Sequence, residues 1–263
     1  MIKMKPEEKE AAEKYNVIAE FYHNWRVKKS RYGWFYNELL EMPATLSLLG
    51  NVKGKKVLDF GCGSGIYAKL LTKRGAKIKG FDISESMLAI AKRENQNLDL
   101  RLGSGYKIPF KEKFDIVQGS LVLDYLEDWD KVFKEVKRVL KNKGIFVFSI
   151  GNPVSEVTKK VVVKGKKLRV LGINDYFDEK VNYAEWTFEN ELNVKMPSYH
   201  KTYETVIKII LKNDFEIIGY KDTFPSKVGK KYFPRDYATY SKLPYFCVWK
   251  VRKKWISLEG IKK

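Results

Sequence analysis

The chain has 263 residues, of which 44% are hydrophobic and 14% aromatic, and its formal net charge is +19. This length supports one substantial core with a small appended element rather than two full domains. Its two cysteines, Cys62 and Cys247, are too few for a disulfide framework or a cysteine metal site, and we expect no bound metal. No apolar run reaches membrane-spanning length and no secretory signal precedes the first helix, so we expect a cytoplasmic protein without a membrane partner.

The positive charge comes mainly from lysine and increases along the chain. The basic excess is +1 over 1–50, +8 over 51–150 and +10 over 151–263, and 42 of the 51 basic residues are lysines. A basic surface attracts nucleic acid. Nucleic-acid sites favour the arginine fork, however, and lysine-rich surfaces with few Gln and His are typical of thermophile proteins. We therefore expect mostly solvated surface, and RNA binding stays open as an alternative.

Residues 6–30 have the pattern of an amphipathic helix. Pro6 and two glutamates begin it. Apolar and aromatic residues then recur at helical spacing: Tyr15, Ile18, Ala19, Tyr22 and Trp25. A second helical segment is expected over 34–49, so residues 1–50 are predicted to form an N-terminal helical cap.

The segment 56–67, KVLDFGCGSGIY, predicts a buried strand that turns through glycines into a helix. Gly61, Gly63 and Gly65 let a ligand contact bare backbone at the positive end of the helix dipole. The spacing differs from the dinucleotide fingerprint G-x-G-x-x-G, because the third glycine comes one residue early. Asp59, two residues before the first glycine, would repel a pyrophosphate but suits a ligand with an ammonium group.

A second strand is predicted over 77–82 and ends in Asp82, 17 residues after Gly65. Rossmann-type sites place an acid at this point, where it accepts hydrogen bonds from ribose hydroxyls. Ser84 is then suited to cap a helix whose apolar face starts with Met87. An ordinary capping loop would explain Ser84 but not the acid ahead of it.

These two stretches resemble motif I and the following motif of class I S-adenosylmethionine (SAM)-dependent methyltransferases. In the second motif, here FDISESML at 81–88, the acid binds the SAM ribose and the next residue packs on adenine. The resemblance implies SAM as the cofactor. The cofactor-site residues that it implies are Asp59, Gly61, Cys62, Gly63, Gly65, Asp82, Ile83, Met87, Ser104, Gly105 and Ser120. The Tyr-Asn…Ala…Tyr pattern that covers the SAM site in such enzymes is matched by Tyr15, Asn16, Ala19 and Tyr22.

Two positions differ from motifs found in SAM-dependent methyltransferases, and the second argues against two kinds of nucleobase methylation. After the third strand, predicted over 98–102, many relatives carry an Asp near the adenine amino group, and Ser104 stands there instead. The fourth strand, 114–119, leads into Ser120 without the (Asp/Asn)-Pro-Pro-(Tyr/Phe) motif of adenine amino-methyltransferases. It also lacks the cysteine nucleophile that cytosine C5 methylation requires. Neither nucleobase chemistry fits.

The remaining elements complete an α/β fold. A helix is expected over 129–140, a fifth strand over 143–150, a helix over 199–212 and two further strands at 215–220 and 244–251. The order predicts a Rossmann-like, seven-stranded, mostly parallel sheet with helices on both faces. In this division 51–150 is the SAM-binding core, and 199–263 completes the same sheet.

Residues 151–198 are an insertion, which we interpret as a small lid at the ligand edge of the sheet. VVVKGKKLRVL predicts a hairpin with Lys164 and Gly165 near its turn. Most aromatic residues of the lid are explained by a small core of its own. The acceptor-binding candidates are Tyr15, Tyr22, Tyr176, Tyr199 and His200. The candidates for catalysis are Tyr22, Tyr199 and His200, with a surface position as the alternative for His200.

The sequence thus predicts methyl transfer from SAM to a small-molecule acceptor, because an aromatic lid suits a compact substrate. An RNA (tRNA) methyltransferase is the first alternative, favoured by the basic excess of 151–263. A SAM- or nucleotide-binding protein without catalysis is the second. The pattern identifies neither a general base nor an oligomeric state.

Overall fold

The computed structural model describes residues 3–162, 169–173, 175–188 and 192–254. Within them the strands are β1 (Lys56–Phe60), β2 (Lys77–Asp82), β3 (Asp99–Leu102), β4 (Phe114–Ser120), β5 (Leu140–Gly151), β6 (Thr158–Val162), β7 (Arg169–Ile173), β8 (Val181–Thr187), β9 (Asn193–Tyr199), β10 (Phe215–Asp222) and β11 (Phe246–Lys253). The α-helices are α1 (Pro6–Val27), α2 (Met42–Leu49), α3 (Ile66–Lys73), α4 (Glu85–Glu94), α5 (Trp129–Val139), α6 (Pro153–Glu156), α7 (Tyr203–Lys212), α8 (Lys227–Tyr232) and α9 (Pro234–Tyr240).

The central sheet has seven strands in the order β10–β11–β5–β4–β1–β2–β3. β11 is antiparallel to both of its neighbours, and the other pairings are parallel. From β1 the chain adds β2 and β3 on one side, and β4, β5, β11 and β10 lie on the other side. The loops that follow the neighbouring parallel strands β1 and β4 therefore lie at the same edge of the sheet. The predicted seven-stranded, mostly parallel sheet is confirmed.

Helices cover both faces of this sheet. On one face Phe133 of α5 packs against Phe146 and Phe148 of β5, with ring centroids 5.6 and 5.7 Å apart. Val147, between those two phenylalanines, points to the opposite face and belongs to a cluster with Leu71 of α3. The alternation of strand side chains therefore gives each face its own core.

The N-terminal segment differs in detail from the sequence prediction. α1 ends at Val27, and the next helical segment begins at Arg31 rather than at 34. Up to Glu41 this segment is π-helical, so the backbone N–H of Met42 donates to the carbonyl of Asn37 five residues earlier. π-Helical turns are often found at functional sites, because the wider turn re-aims side chains.

The insertion forms two hairpins. β6 pairs with β7, which confirms the hairpin predicted in VVVKGKKLRVL, and the turn predicted at Lys164 and Gly165 lies outside the described residues. β8 pairs with β9, a second hairpin that the sequence analysis did not identify. The predicted helix start at Tyr199 is wrong. Tyr199 ends β9, and α7 begins at Tyr203, where the Thr202 hydroxyl caps it by accepting from Thr205 N at 3.2 Å.

Two short helices between β10 and β11 were not predicted. α8 and α9 pack against the π-helical segment, where the Phe35 ring lies 5.6 Å from Phe233 and 5.9 Å from Tyr240. Helices of six and seven residues are too short to show a clear hydrophobic period. We infer that the formation of these two helices depends on this tertiary contact.

Candidate functional site

A cavity of about 760 Å³ lies along the carboxyl ends of β1, β2, β4 and β5. The loops after these strands form its floor, and α1 and the β8–β9 hairpin contribute further lining. Open α/β sheets bind ligands at this edge, where the strand order reverses. No helix in the described part of the chain is long and apolar enough to cross a membrane.

The sequence-predicted residues divide into two groups by position. Those that line the cavity are Asp59, Gly61, Cys62, Gly63, Asp82, Ile83, Met87, Gly105, Ser120, Tyr15 and Tyr22. Those that lie outside its lining are Gly65, Ser104, Tyr176, Tyr199 and His200. Eleven of the sixteen are thus gathered around one space, although they come from distant parts of the chain.

The glycine loop after β1 depends on conformations and contacts that other residues do not tolerate. Gly61 has φ +67°, and a Cβ there would lie 2.4 Å from Val122 Cγ2. Gly65 has φ +79°, and a Cβ there would lie 2.5 Å from Asn95 Nδ2, so this glycine serves the packing of α3 on α4. At Gly63, with φ +52°, a Cβ would meet nothing within 4 Å. The backbone of Gly63 therefore faces open space that a ligand can occupy.

Asp82 joins the ends of β1 and β2. Its Oδ2 accepts from Gly63 N at 2.8 Å, and its Oδ1 accepts from Ser84 N at 2.9 Å. Burial raises the pKa of Asp82, and the backbone N–H groups of Ser84 and Gly63 oppose that shift. Each oxygen has a second lone pair, so the carboxylate can still accept from a ligand in the cavity.

Asp59 has one unpartnered oxygen. The residue is 2% exposed, and its Oδ1 accepts from the Gln118 amide nitrogen at 2.7 Å, whereas its Oδ2 has no hydrogen-bond partner. Burial, followed by the negative charge of Asp82, raises the pKa of Asp59 to about 7, and the charge of Arg26 and the backbone N–H of Ala68 oppose the shift. A buried acceptor without a donor is rare and points to a missing cationic or N–H group.

Arg26 was not identified from the sequence. Its Nε donates to Glu38 Oε1 at 2.8 Å, and its buried Nη2 lies 2.8 Å from the same oxygen in an ion pair. It is the one lysine or arginine among the described residues that lines the cavity. The available signal was its position on α1, four residues after Tyr22 and so on the same helical face.

Ser104 makes a hydrogen bond to a carboxylate of the N-terminal helix α1. Its hydroxyl donates to Glu8 Oε1 at 2.6 Å, and Gly105 N donates to the same oxygen at 3.0 Å. Glu8 lines the cavity and Ser104 does not. An acid is therefore present beside the position where relatives carry an Asp, but it comes from α1, ninety-six residues earlier.

Aromatic side chains line the end of the cavity near β4. The Tyr15 hydroxyl donates to the Tyr125 hydroxyl at 2.8 Å, and the two rings meet edge to face at 5.4 Å. Trp186 of β8 stacks on Tyr22 at 5.7 Å and meets Tyr15 edge to face at 6.4 Å. Side chains from α1, from the turn after β4 and from β8 thus form one aromatic wall.

Two acids at the same end, Asp124 and Glu156, were also missed. Both line the cavity, and Glu156 Oε2 lies 2.9 Å from His200 Nδ1. His200 Nε2 lies 2.9 Å from the carbonyl oxygen of Tyr176, whose hydroxyl accepts from Tyr203 N at 3.0 Å. His200 therefore reaches the cavity only through Glu156. No motif marks either acid, because neither lies in the glycine loop or its partner strand.

Comparison with known proteins identifies the family. Residues 58–148 match the family model of a methyltransferase domain. The chain is 33% identical over 179 residues to a ubiquinone biosynthesis O-methyltransferase of Coxiella burnetii, covering 63% of this chain and 73% of that protein. It is 32% identical over 197 residues to an uncharacterized protein of Haemophilus influenzae, covering 69% of this chain and 75% of that one.

The fold comparison agrees with this assignment. A crystal structure of an S-adenosylmethionine-dependent methyltransferase from Mesorhizobium loti superposes with a TM-score of 0.68 at 24% sequence identity, covering 81% of this chain and 97% of that one. Sheet order, glycine loop and second-strand acid are consistent with the same conclusion. The chain belongs to the class I SAM-dependent methyltransferases, with SAM as its cofactor.

Proposed function

We propose that this protein transfers the methyl group of SAM to a small-molecule acceptor. The observation that carries the proposal is one continuous cavity that joins the glycine loop to the aromatic wall of Tyr15, Tyr22, Tyr125 and Trp186. An acceptor on that wall would be adjacent to the cofactor and largely shielded from water. The similar C. burnetii protein, named as a ubiquinone biosynthesis O-methyltransferase, supports a compact acceptor.

The residues at the β1–β2 end fit SAM. Asp82 would accept from the ribose hydroxyls, and the unpartnered Asp59 Oδ2 would accept from the ammonium group. The guanidinium of Arg26, which is paired with Glu38, would donate to the SAM carboxylate. The open space before Gly63 leaves room for the cofactor backbone. The other contacts that we propose are Gly61, Cys62, Ile83, Met87, Gly105 and Ser120, with Gly65 and Ser104 acting from behind the lining.

The protein's own contribution would be position and exclusion of water. When bound, SAM supplies a methyl group that its sulfonium already makes electrophilic. Tyr15, Tyr22 and Trp186 would hold the acceptor against it, and the insertion 151–198 would act as the lid. Tyr199 and Tyr176 would support the lid from outside the cavity.

We also propose a cytoplasmic location for the protein.

The test compares acceptors directly. Purified protein is incubated with SAM and either a low-molecular-mass metabolite extract or total tRNA, and S-adenosylhomocysteine (SAH) is measured by mass spectrometry. We expect SAH only with the extract, and a methylated small molecule beside it. SAH formed only with tRNA would establish the RNA alternative. SAM binding with no SAH from either source would favour the non-catalytic alternative.

A further inference from the structure

The charge of the cavity is opposite to that of the chain. The chain carries a net +19, whereas six carboxyl groups line the cavity: Glu8, Asp59, Asp82, Asp124, Glu156 and Glu185. Across the described ranges, no lysine or histidine lines it, and Arg26 is paired with Glu38. A negatively charged acceptor would therefore find no cation beyond the one proposed for the SAM carboxylate. The lining suits an acceptor that carries positive charge or donates N–H groups.

Two of these acids meet at the end of the cavity away from Asp82. Asp124 follows β4 in a short 3₁₀ turn, Leu123–Tyr125, and Glu156 ends α6 after β5. Gly151 lies between them. Its N–H donates to Asp124 Oδ2 at 2.9 Å, and a Cβ on it would lie 2.2 Å from Glu156 Oε1. The absence of a side chain at Gly151 allows both carboxyl groups to approach.

His200 holds Glu156 through a hydrogen bond. Its Nε2 faces the carbonyl of Tyr176, which can only accept, so Nε2 carries a proton. Its Nδ1 faces Glu156 Oε2 at 2.9 Å. Burial opposes a charge on His200, but the bonds to Glu156 and Tyr176 outweigh it, and the pKa of His200 is raised. The protonated imidazole is therefore favoured, and it can donate from Nδ1 to Glu156 Oε2.

The environment of Asp124 favours its protonated form, whose proton a cation could replace. Burial, followed by the negative charge of Glu156, raises the pKa of Asp124 well above its usual range. The titratable groups that face it are Glu156 of α6, His200 after β9, Tyr125 beside it and Cys247 of β11. Two neighbouring carboxyl groups cannot both ionise cheaply unless a positive charge lies between them.

We propose that the methyl acceptor is an amine, whose nitrogen lies between Asp124 and Glu156 and whose carbon skeleton contacts Tyr125, Tyr15 and Trp186. This inference rests on the proposed function and names the substrate class of the same site. Aromatic faces attract cations, and carboxylates accept charge-assisted hydrogen bonds from N–H groups. The amine would bind as an ammonium and displace the proton of Asp124 into solution.

The transfer step is balanced in protons and electrons. The ammonium gives one proton to the Asp124 carboxylate, which restores its protonated form. The freed nitrogen lone pair forms the N–CH₃ bond while the S–CH₃ bond breaks, and the electron pair of that bond stays on sulfur. The product is a methylated ammonium beside a neutral thioether. Glu156, held by His200, would orient the nitrogen throughout.

The experiment measures binding to the SAH-saturated protein by isothermal titration in two buffers of different ionisation enthalpy. The probes are benzylamine and phenethylamine, each compared with benzyl alcohol and benzoate or with 2-phenylethanol and phenylacetate. We expect each amine to bind at least about tenfold more tightly than its alcohol and carboxylate counterparts, with release of up to one proton. If neither amine binds more tightly than its counterparts, the inference is overturned.

Substitutions locate the effect. Asp124→Asn and Glu156→Gln should weaken amine binding at least about tenfold, because each removes a charged partner of the nitrogen. Glu204→Gln, an exposed matched control on α7 that pairs with Lys208, should leave it unchanged. Unaltered amine binding in both folded site variants would also overturn the inference. The proton-release measurement on the wild type needs no variant, so it decides the question even if both variants misfold.

The same experiment distinguishes a failure of the proposed function from a failure of the amine assignment. If the wild type does not bind SAM or SAH, the proposed function itself fails. If SAH binds and the alcohol or the carboxylate binds as tightly as the amine, the proposed function stands and only the amine assignment fails. A methylated amine detected by mass spectrometry with SAM, and absent with Asp124→Asn, would support both.

Discussion

The two ends of the cavity are built in different ways. The proposed cofactor end takes its centre, Asp59, Gly61 and Asp82, from one stretch, 59–82, which is held by backbone hydrogen bonds such as Cys62 N to Phe81 O at 2.9 Å. The acceptor end combines α1, the turn after β4, α6 and the β8–β9 hairpin, and side chains hold it together. The first end is a local motif, whereas the second is a product of tertiary packing.

This difference has a functional consequence. A local, backbone-held site keeps its geometry when distant side chains change, so the same cofactor end can serve many acceptors. A side-chain-built site changes with each substitution. We therefore expect variants to divide into those that weaken SAM binding and those that lower turnover of the acceptor, with little overlap.

The largest effect is expected at the cofactor end. Asp82→Ala removes the acceptor for ribose hydroxyls and releases Gly63 N and Ser84 N. SAM binding should weaken by about 2–3 kcal/mol, or about 30- to 150-fold, measured by isothermal titration. Asp99→Ala on the exposed edge of β3 is the control and should bind SAM normally. An unchanged dissociation constant in folded Asp82→Ala would show that this acid does not contact the cofactor.

The next effect tests the acceptor end. Trp186→Ala removes the ring that stacks on Tyr22, so turnover of the acceptor should fall by about 2 kcal/mol, or about 30-fold in kcat/KM. SAM affinity should stay within a few-fold. Phe177→Ala, an aromatic residue of the same insertion that is 85% exposed, is the matched control. Loss of SAM binding in folded Trp186→Ala would break the proposed division of the cavity.

A smaller effect is expected behind the lining. His200→Ala releases Glu156 from its hydrogen bond, so kcat should fall about tenfold. The pH profile of kcat should also change, because an imidazole with a raised pKa is removed. Tyr199→Ala, outside the cavity, should change kcat less than about threefold. If Tyr199→Ala were the more damaging change, the acceptor would lie nearer β9 than we propose.

The smallest effect is a pH dependence of SAM binding. The pKa of free Asp59 is raised to about 7, so its charged form, which an ammonium requires, increases as pH rises through 7. SAM affinity should increase several-fold from about pH 6 to about pH 7.5, and Asp59→Asn should bind more weakly with a flat profile.

The contribution of Asp59 to the stability of the free protein changes with pH in the opposite direction to SAM affinity. Because the folded pKa of Asp59 is above the unfolded value, its contribution to the stability of the free protein is full below about pH 4 and is lost as pH rises through 7. The stabilisation by SAM, measured as the shift in thermal midpoint, should therefore grow over the same interval. A shift that is independent of pH would place the ammonium elsewhere.

The sequence was informative where structure is local. Strand alternation and the glycines predicted the sheet, and the residues of 59–82 that were predicted to bind the cofactor line the cavity, except Gly65. The N-cap at Ser84 was also predicted, and its hydroxyl accepts from Met87 N at 3.1 Å. These features follow from spacing within a few residues.

The acceptor end could not be predicted in the same way. Asp124 and Glu156 carry no motif, and their proximity depends on how α6 and the turn after β4 fold over the sheet. Arg26, proposed for the cofactor end, was missed for the same reason, because α1 brings it to the cavity. Tyr176, Tyr199 and His200 were chosen because they are aromatic or titratable and near the ligand edge. Strand β9, however, turns Tyr199 away from the cavity, and Glu156 lies between His200 and the cavity. Sequence periodicity does not contain this information.

The most direct test of the central claim is a crystal structure of the protein with SAH. We expect the ribose hydroxyls on Asp82, the amino group within hydrogen-bond distance of Asp59 Oδ2 and the carboxylate on the guanidinium of Arg26. The sulfur should then face the space between Asp124 and Glu156. SAH bound in the opposite direction, or lying against Trp186 with the β1–β2 end filled by solvent, would contradict it.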